Sequence, residues 1–493
     1  MGIKSIFSNF SLHALYNKLV YIKKDERVKV LLLSLSFFCI IGTYTVVRTL
    51  KDSLFTSIVG GKESLAIAKL WSMIFLIPAI LLFSKLVDIM RRAQLLTLYS
   101  LIYGIGGLII GYYITHPTIG LPNTEQSVDR IFGWIVYFFM DGFNPFVVGL
   151  FWSFSHSITS PDAAKSNYPI MVAASKLGGV VATSFACWWL TRINTVTGQQ
   201  LLSDAVNHQI LFYITSALLL AVPALIALMI YFVPSKTMHG YEAAYKFEKQ
   251  HAKEEKQPAT SWWQALKKNV EGLILMVKYP YVMGILGVVS FWEVVNVYVN
   301  IERVSVAGKA SLTISQKTAL LLGDDFWVHA IGFGITLLGT RALIEYLGER
   351  RSLLLVPIIT AVLMVYYFTA SMITNQAAAA SISLAYIFLK ALNYAFASPL
   401  RESLYIPTTK LIKFKSKSWI DSFGTKFAKS VGATFSGISD RLGGTVLSIS
   451  AVNAMFFATI IGLWVLVAHF LGRRYEKAVA RGEVIGSQES GQD

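Results

Sequence analysis

The chain has 493 residues, 54% of them hydrophobic and 15% charged, with a net charge of +16 and a mean hydropathy of +0.55. A water-soluble globule carries about 25% charged residues, so this composition points to a membrane protein and away from a soluble enzyme. The two cysteines, Cys39 and Cys187, both lie in apolar runs, which suggests neither a disulfide framework nor a metal site.

In chain order, residues 1–27 form a basic N-terminal arm. It lacks the short apolar core and small-residue cleavage site of a signal peptide. "MGIKSI" has Ile where the N-myristoylation pattern needs Ser or Thr. A spanning helix needs about 20 mostly apolar residues. Twelve candidates follow, at 28–48, 66–87, 94–114, 131–155, 169–191, 210–233, 279–300, 326–346, 352–373, 377–399, 419–438 and 446–471. The eleventh, "WIDSFGTKFAKSVGATFSGISD", carries Lys426, Lys429 and several hydroxyls. It is either a loop or a helix that faces water or substrate inside a bundle.

Charge placement sets the orientation. Lys and Arg concentrate in the arm, in the connection after the second span (Lys85, Arg91, Arg92), in the polar segment 234–275, between the tenth and eleventh spans (Arg401, Lys410, Lys413) and in the tail 473–493. With twelve spans all of these fall on one side, so both termini are expected to be cytoplasmic. The loop 116–130 on the other side has only Arg130. Much of the +16 is then topology signal, and nucleic acid is not an expected partner. The segment 234–275 separates a first run of six spans (28–233) from a second (276–472).

The two runs carry weak internal matches. "KLVDIMRRAQ" follows the second span and "YLGERRSLL" the eighth. An acid followed by paired arginines there resembles the major facilitator superfamily, whose two six-helix halves rock about a central site. "SKLGGVVATS" in the fifth span and "TKFAKSVGAT" in the eleventh set Lys176 opposite Lys426, and Tyr44 precedes Arg48 as Tyr298 precedes Glu302, by four residues. The expected fold is an all-α polytopic membrane protein of twelve transmembrane helices in two pseudo-symmetric six-helix halves, major-facilitator-like.

A charge at the bilayer centre costs about 2.5–3.5 kcal/mol on insertion scales, so charges inside spans face a cavity or a partner. The candidates are Arg48, Lys51, Lys69, Asp141, Lys176, Glu293, Glu302, Arg341, Lys390, Lys426 and Lys429. Most are cationic, and a cavity with surplus positive charge suits an anion of multiple charge. Arg48, Lys51, Lys69 and Lys176 could instead snorkel to the interface, which is the default for Arg341 and Lys390 near helix ends. Lys426 and Lys429 share one helical face. Asp141 and Glu302 are suited to hold cations in the empty state, and Glu293 is either a proton site or a structural acid. Aromatics such as Tyr44, Trp292 and Tyr394 either stack on a base or pack. Asn144-Pro145 and Pro399 mark kinks. "GGKES" at 60–64 lacks the first glycine and the hydroxyl residue of a phosphate loop, so nothing suggests an enzyme or a hydrolysis-driven pump, and no cofactor is expected.

"YTVVRTLKDSL" in the first span, "KLW" at 69–71, "YIP" at 405–407 and "IDSFGTKFAKSVGA" at 420–433 together resemble the ATP/ADP translocases of intracellular bacteria and plastids, across essentially the whole chain. The resemblance implies a twelve-helix nucleotide transporter. It matches Lys51, Glu302 and Lys429 to residues implicated in nucleotide transport. Asp141 is the nearest counterpart of a fourth-span glutamate, one residue out of register, and Arg401 stands where the family has a lysine before "YIP". The expected function is ATP/ADP exchange by alternating access, by a monomer in the cell inner membrane. The substrate-binding set is Arg48, Lys51, Asp141, Lys176, Glu302, Lys426 and Lys429. Proton-coupled nucleotide symport, or carriage of another anionic metabolite, remains the alternative.

Overall fold

The computed structural model describes residues 26–193, 200–234, 238, 273–309, 312–338, 344, 346–409, 412–443 and 446–487. Arg341, Lys410, nearly all of the N-terminal arm and most of the segment 234–275 lie outside them. Two isolated β-bridges, Ile193 with Gln200 and Thr408 with Ile485, are the only extended pairings among the described residues.

The helices are α1 Arg27–Ile58, α2 Lys62–Ile89, α3 Arg92–Tyr113, α4 Ile131–Asp141, α5 Gly149–Ile158, α6 Pro161–Leu190 and α7 Asp204–Phe232. After the polar segment come α8 Pro280–Lys309, α9 Ile314–Leu338, α10 Glu349–Ser371, α11 Asn375–Leu392, α12 Ser398–Ser403, α13 Thr425–Gly443 and α14 Val446–Arg481. Among the described residues, ten stretches are long and apolar enough to cross a membrane. α9 and α13, which cover much of the eighth and eleventh expected spans, are not among them. Each carries several charges within its length, which suits helices whose faces point at protein rather than lipid.

Helix ends are fixed by local polar groups. Ser160, Ser203 and Thr374 cap α6, α7 and α11, each side-chain oxygen accepting a backbone N–H of the first turn. The carboxylate of Asp204 on α7 accepts the first N–H groups of α9, from Ile314 at 3.1 Å and Ser315 at 3.0 Å, so one helix caps another. In the loop before α4, Arg130 donates to the carbonyls of Ile119, Gly120, Asn123 and Glu125. Burial lowers its guanidinium from the ordinary value, and Glu125 opposes that shift.

The expected kink at Asn144-Pro145 is a wide π turn, and the one expected at Pro399 has a π turn just before it. Asn144–Val148 separates α4 from α5, and Asn393–Ala397 separates α11 from α12. They occupy the fourth and tenth spans, equivalent places in the two runs of six. Proline removes a ladder donor, and the widened turn re-aims the helix beyond it.

Contacts divide the chain into two compact units, one of Met1–Lys256 with Ala307–Leu338 and one of Gln257–Val306 with Gly339–Asp493. The division departs from chain order at α9, which packs against α1 and α6 of the first unit. In that unit α1 and α6 meet backbone to backbone. A Cβ on Gly178 would stand 2.4 Å from the carbonyl oxygen of Phe38, so only glycine allows the approach. Phe37 stacks on Phe151 at 4.4 Å within the adjoining core. In the second unit Gly432 on α13 meets the backbone of Val294 on α8 in the same way, and α10 packs against α11 and α14. Equating Gly178 with Gly432 sets Lys176 opposite Ser430, one helical turn from the Lys176–Lys426 match read from the sequence.

Candidate functional site

In the first unit, the last three turns of α1 place Arg48, Lys51 and Asp52 in the helix interior rather than at a lipid face. Lys51 is buried. Its Nζ lies 2.6 Å from Asp141 Oδ1 on α4 and 3.6 Å from Asp52 Oδ1, and 4.1 Å from the centre of the Tyr137 ring. Asp141 also accepts from the hydroxyl of Ser72 on α2. Lys69 on α2 reaches Asp52 at 3.9 Å. The chain Lys69–Asp52–Lys51–Asp141 thus alternates in sign through three helices.

One turn earlier, Arg48 Nη2 donates to Asp325 Oδ1 on α9 at 2.5 Å, and Thr49 donates to the other oxygen at 2.5 Å. The Arg48 guanidinium also lies 5.5 Å from the Tyr44 ring centre. The polar contact between α1 and α9 continues in both directions. Thr45 Oγ1 is 2.9 Å from His329 Nε2, Ser53 is 2.6 Å from Thr318, and Lys317 donates to Thr56 at 2.7 Å. His208 on α7 joins at Thr318, 3.0 Å away. Lys176 on α6 lies beside Gly332 of α9 and within electrostatic reach of His329.

In this cluster Arg48, Lys51 and Lys69 are balanced by Asp52, Asp141 and Asp325. Removing a charge from water costs several kcal/mol, which a partner at contact distance offsets, and Arg48, Lys51 and Lys69 each have a carboxylate partner, while Lys317 is held by the Thr56 hydroxyl.

In the second unit Lys429 Nζ lies 3.6 Å from Glu293 Oε1, and Asn296 donates to the other Glu293 oxygen at 3.0 Å. Lys390 is buried, not at an interface, which corrects its reading as a snorkelling residue. It stands 5.8, 5.7 and 5.7 Å from the ring centres of Trp292, Tyr386 and Tyr394. Arg401 lies 5.5 Å from the Trp292 ring centre, and Arg303 stacks over Tyr386 at 3.6 Å. The indole Nε1 of Trp292 is buried without a hydrogen-bond acceptor. Glu302 is buried nine residues beyond Glu293, about 13 Å along the axis. Lys426 is half-buried, one turn before Lys429.

Of the expected set, Arg48, Lys51 and Asp141 therefore share one cluster, and Lys176 adjoins it by way of His329. Glu302, Lys426 and Lys429 belong to the other unit. Asp325, His329, Asp52 and Ser72 escaped the sequence reading. The signal for the first two was present in "GDDFWVHA", but a span drawn from residue 326 treats the aspartates as loop.

A helical membrane chain with buried ion pairs and cations against aromatic faces has the make-up of a secondary transporter. Solved structures of that class share its fold. A D-xylose–proton symporter superposes with a TM-score of 0.59 at 13% identity, covering 90% of this chain and 96% of that one. The nucleoside transporter NupG superposes with a TM-score of 0.54 at 13% identity, covering 92% and 100%. Among curated relatives, ADP,ATP carrier protein 1 of Chlamydia pneumoniae is 22% identical over 92% of each chain. ADP,ATP carrier protein 4 of Rickettsia bellii is 23% identical over 93% of this chain and 92% of its own. Residues 7–475 match the TLC ATP/ADP transporter family, and the chain belongs to that family. It is a multi-pass membrane transporter of nucleotides with a major-facilitator-like fold, and not an enzyme.

Proposed function

We propose that this transporter exchanges ATP for ADP by alternating access, acting as a monomer in the cell inner membrane with both termini cytoplasmic. Phosphate contacts are assigned to Arg48, Lys51, Lys176, Lys426 and Lys429. Asp141 and Glu302 are assigned to hold cations when cargo is absent. The observation that carries the reading is the Lys51–Asp141 pair at 2.6 Å. Lys51 is buried, while the carboxylate keeps 26% of its side chain exposed. An incoming phosphate oxygen, like a carboxylate oxygen, is an anionic acceptor of a charge-assisted bond, so it can take the place of Asp141 without leaving Lys51 unpaired.

Exchange follows from the same electrostatics. When the carboxylates hold the cations, bonds such as Arg48–Asp325 tie α1 to α9. Cargo that draws Arg48 away from Asp325 loosens this tie, and reorientation then needs bound nucleotide in both directions. A second reading, proton-coupled nucleotide symport, is favoured by buried His329 beside Thr45. Labelled-ATP uptake into proteoliposomes, with and without internal ADP and with a protonophore, tests both. Exchange requires uptake that depends on internal ADP and ignores the protonophore. Uptake without internal nucleotide that collapses with the protonophore supports symport. Placement of the termini on the cytoplasmic side is supported by the Lys and Arg distribution, and labelling of a tail cysteine from either side tests it.

A further inference from the structure

We propose that the second unit carries a binding site for an anionic phospholipid, formed where α8 and α14 separate at the edge of the membrane. It is independent of the cargo. The two helices pack closely deeper down. A Cβ on Gly284 would meet Leu471 at 3.1 Å, and one on Gly287 would meet Val467 at 3.2 Å. α14 is 36 residues long, about 54 Å, well beyond the roughly 30 Å of hydrocarbon it must cross. Its last uncharged stretch ends at Gly472, and Arg473, Arg474, Glu476, Lys477 and Arg481 follow. α8 starts at Pro280, just after Lys278. Both helices therefore cross the same boundary, and there they leave a cavity of about 670 Å³, within the usual size of a small-molecule site.

The cavity has two chemically distinct ends. Its floor is apolar, from Met283, Gly284, Val467 and Phe470, and its rim carries Lys477 and Arg481. Phe470 is 64% exposed on the membrane part of α14, so the floor opens toward lipid. Arg474 also lines the cavity but is occupied by Glu483. Lys477 and Arg481 make no ion pair with the described residues, and both are exposed. The far wall is a built one. Residues after α14 fold back, Ile485 N–H donates to the Pro407 carbonyl at 2.8 Å and Thr409 N–H to the Ile485 carbonyl at 3.1 Å, and this bridge holds Ile485 in the cavity lining. An occupant must present negative charge to the rim and hydrocarbon to the floor. A phospholipid with a net negative headgroup does both, and basic groups at the membrane edge select such lipids by charge. A free phosphate or nucleotide would use the rim alone.

The test is native mass spectrometry of the full-length protein, purified with equal amounts of phosphatidylglycerol and phosphatidylcholine. The site predicts at least about tenfold preferential retention of phosphatidylglycerol. Lys477→Ala with Arg481→Ala, two exposed positions with no ion-pair partner among the described residues, should bring retention down to the phosphatidylcholine level. Phe470→Ala should also lower it, and millimolar inorganic phosphate or ATP should not displace the lipid. Equal retention of the two lipids by the wild type, or unchanged preference in the double variant, overturns the proposal. Displacement by free phosphate or ATP, with no effect of Phe470→Ala, overturns it in favour of a soluble anion.

Discussion

Lys51 and Lys429 illustrate two situations for a cation in a membrane transporter. Lys51 is buried against Asp141, Asp52 and the Tyr137 ring, so its loss has a structural cost as well as a functional one. Breaking a buried pair by removing one partner costs about 3–5 kcal/mol, and the partial exposure of Asp141 puts this case at the lower end. Lys51→Ala should therefore lower the melting temperature, and Lys51→Ala with Asp141→Ala should recover most of the loss. A double variant no more stable than Lys51→Ala would mean the pair is not coupled. Lys429 keeps 40% of its side chain exposed, so Lys429→Ala should preserve folding. A charge-assisted contact is worth about 1.5–3 kcal/mol, which corresponds to a loss of at least about tenfold in ATP uptake at equal protein level. Undiminished uptake would remove Lys429 from the phosphate set. Lys51 was legible because a lysine inside an apolar span stands out and its motif resembles a known one. Asp141, its carboxylate partner at 2.6 Å, was read as a charge inside a span, whereas Asp325, the partner of Arg48, was harder to read, because it sits at the edge of a hydropathy window and pairing across helices leaves no local trace. Lys390 was misread because nearness to a helix end was taken for access to water, whereas the helix continues through a π turn into α12.

At the scale of the element, close helix approach and the α1–α9 seam make separate demands. A Cβ at Gly178 would overlap the Phe38 backbone, while Gly149 has nothing within 4 Å of the equivalent point. Gly178→Leu should therefore abolish accumulation of folded protein, and Gly149→Ala should leave it within about 1 kcal/mol of the parent. Size-exclusion profiles of the two variants distinguish them. The seam offers its own reporter. Cys187 on α6 donates to the carbonyl of Ala319 on α9 at 3.4 Å, and Cys39 is the only other cysteine. In a Cys39→Ser background, Asp325→Asn removes the acceptor charge that holds Arg48 and Thr49. It should raise the rate at which a membrane-impermeant maleimide labels Cys187 in purified protein. An unchanged rate would show that α9 is held by other means. These features were only partly legible. The twelve spans read from the sequence each overlap a helix, and Asn144-Pro145 and Pro399 marked the irregular spans. Hydropathy could not give the membership of α9, because that depends on which polar faces meet.

For the molecule as a whole, family membership over residues 7–475 and the shared fold of secondary transporters make transport the activity, and the ion pairs supply a reason for exchange. Composition was enough to read the membrane class. It could not show which carboxylates the cations meet, as Lys51 meets Asp141 and Arg48 meets Asp325. The central claim is that nucleotide moves in one direction only when nucleotide moves in the other. Proteoliposomes holding the purified chain and preloaded with radiolabelled ADP test it most directly. Label should leave rapidly when ATP is added outside, one ADP for each ATP gained, and should stay inside when buffer alone is added. Efflux at the same rate into nucleotide-free buffer would contradict the account.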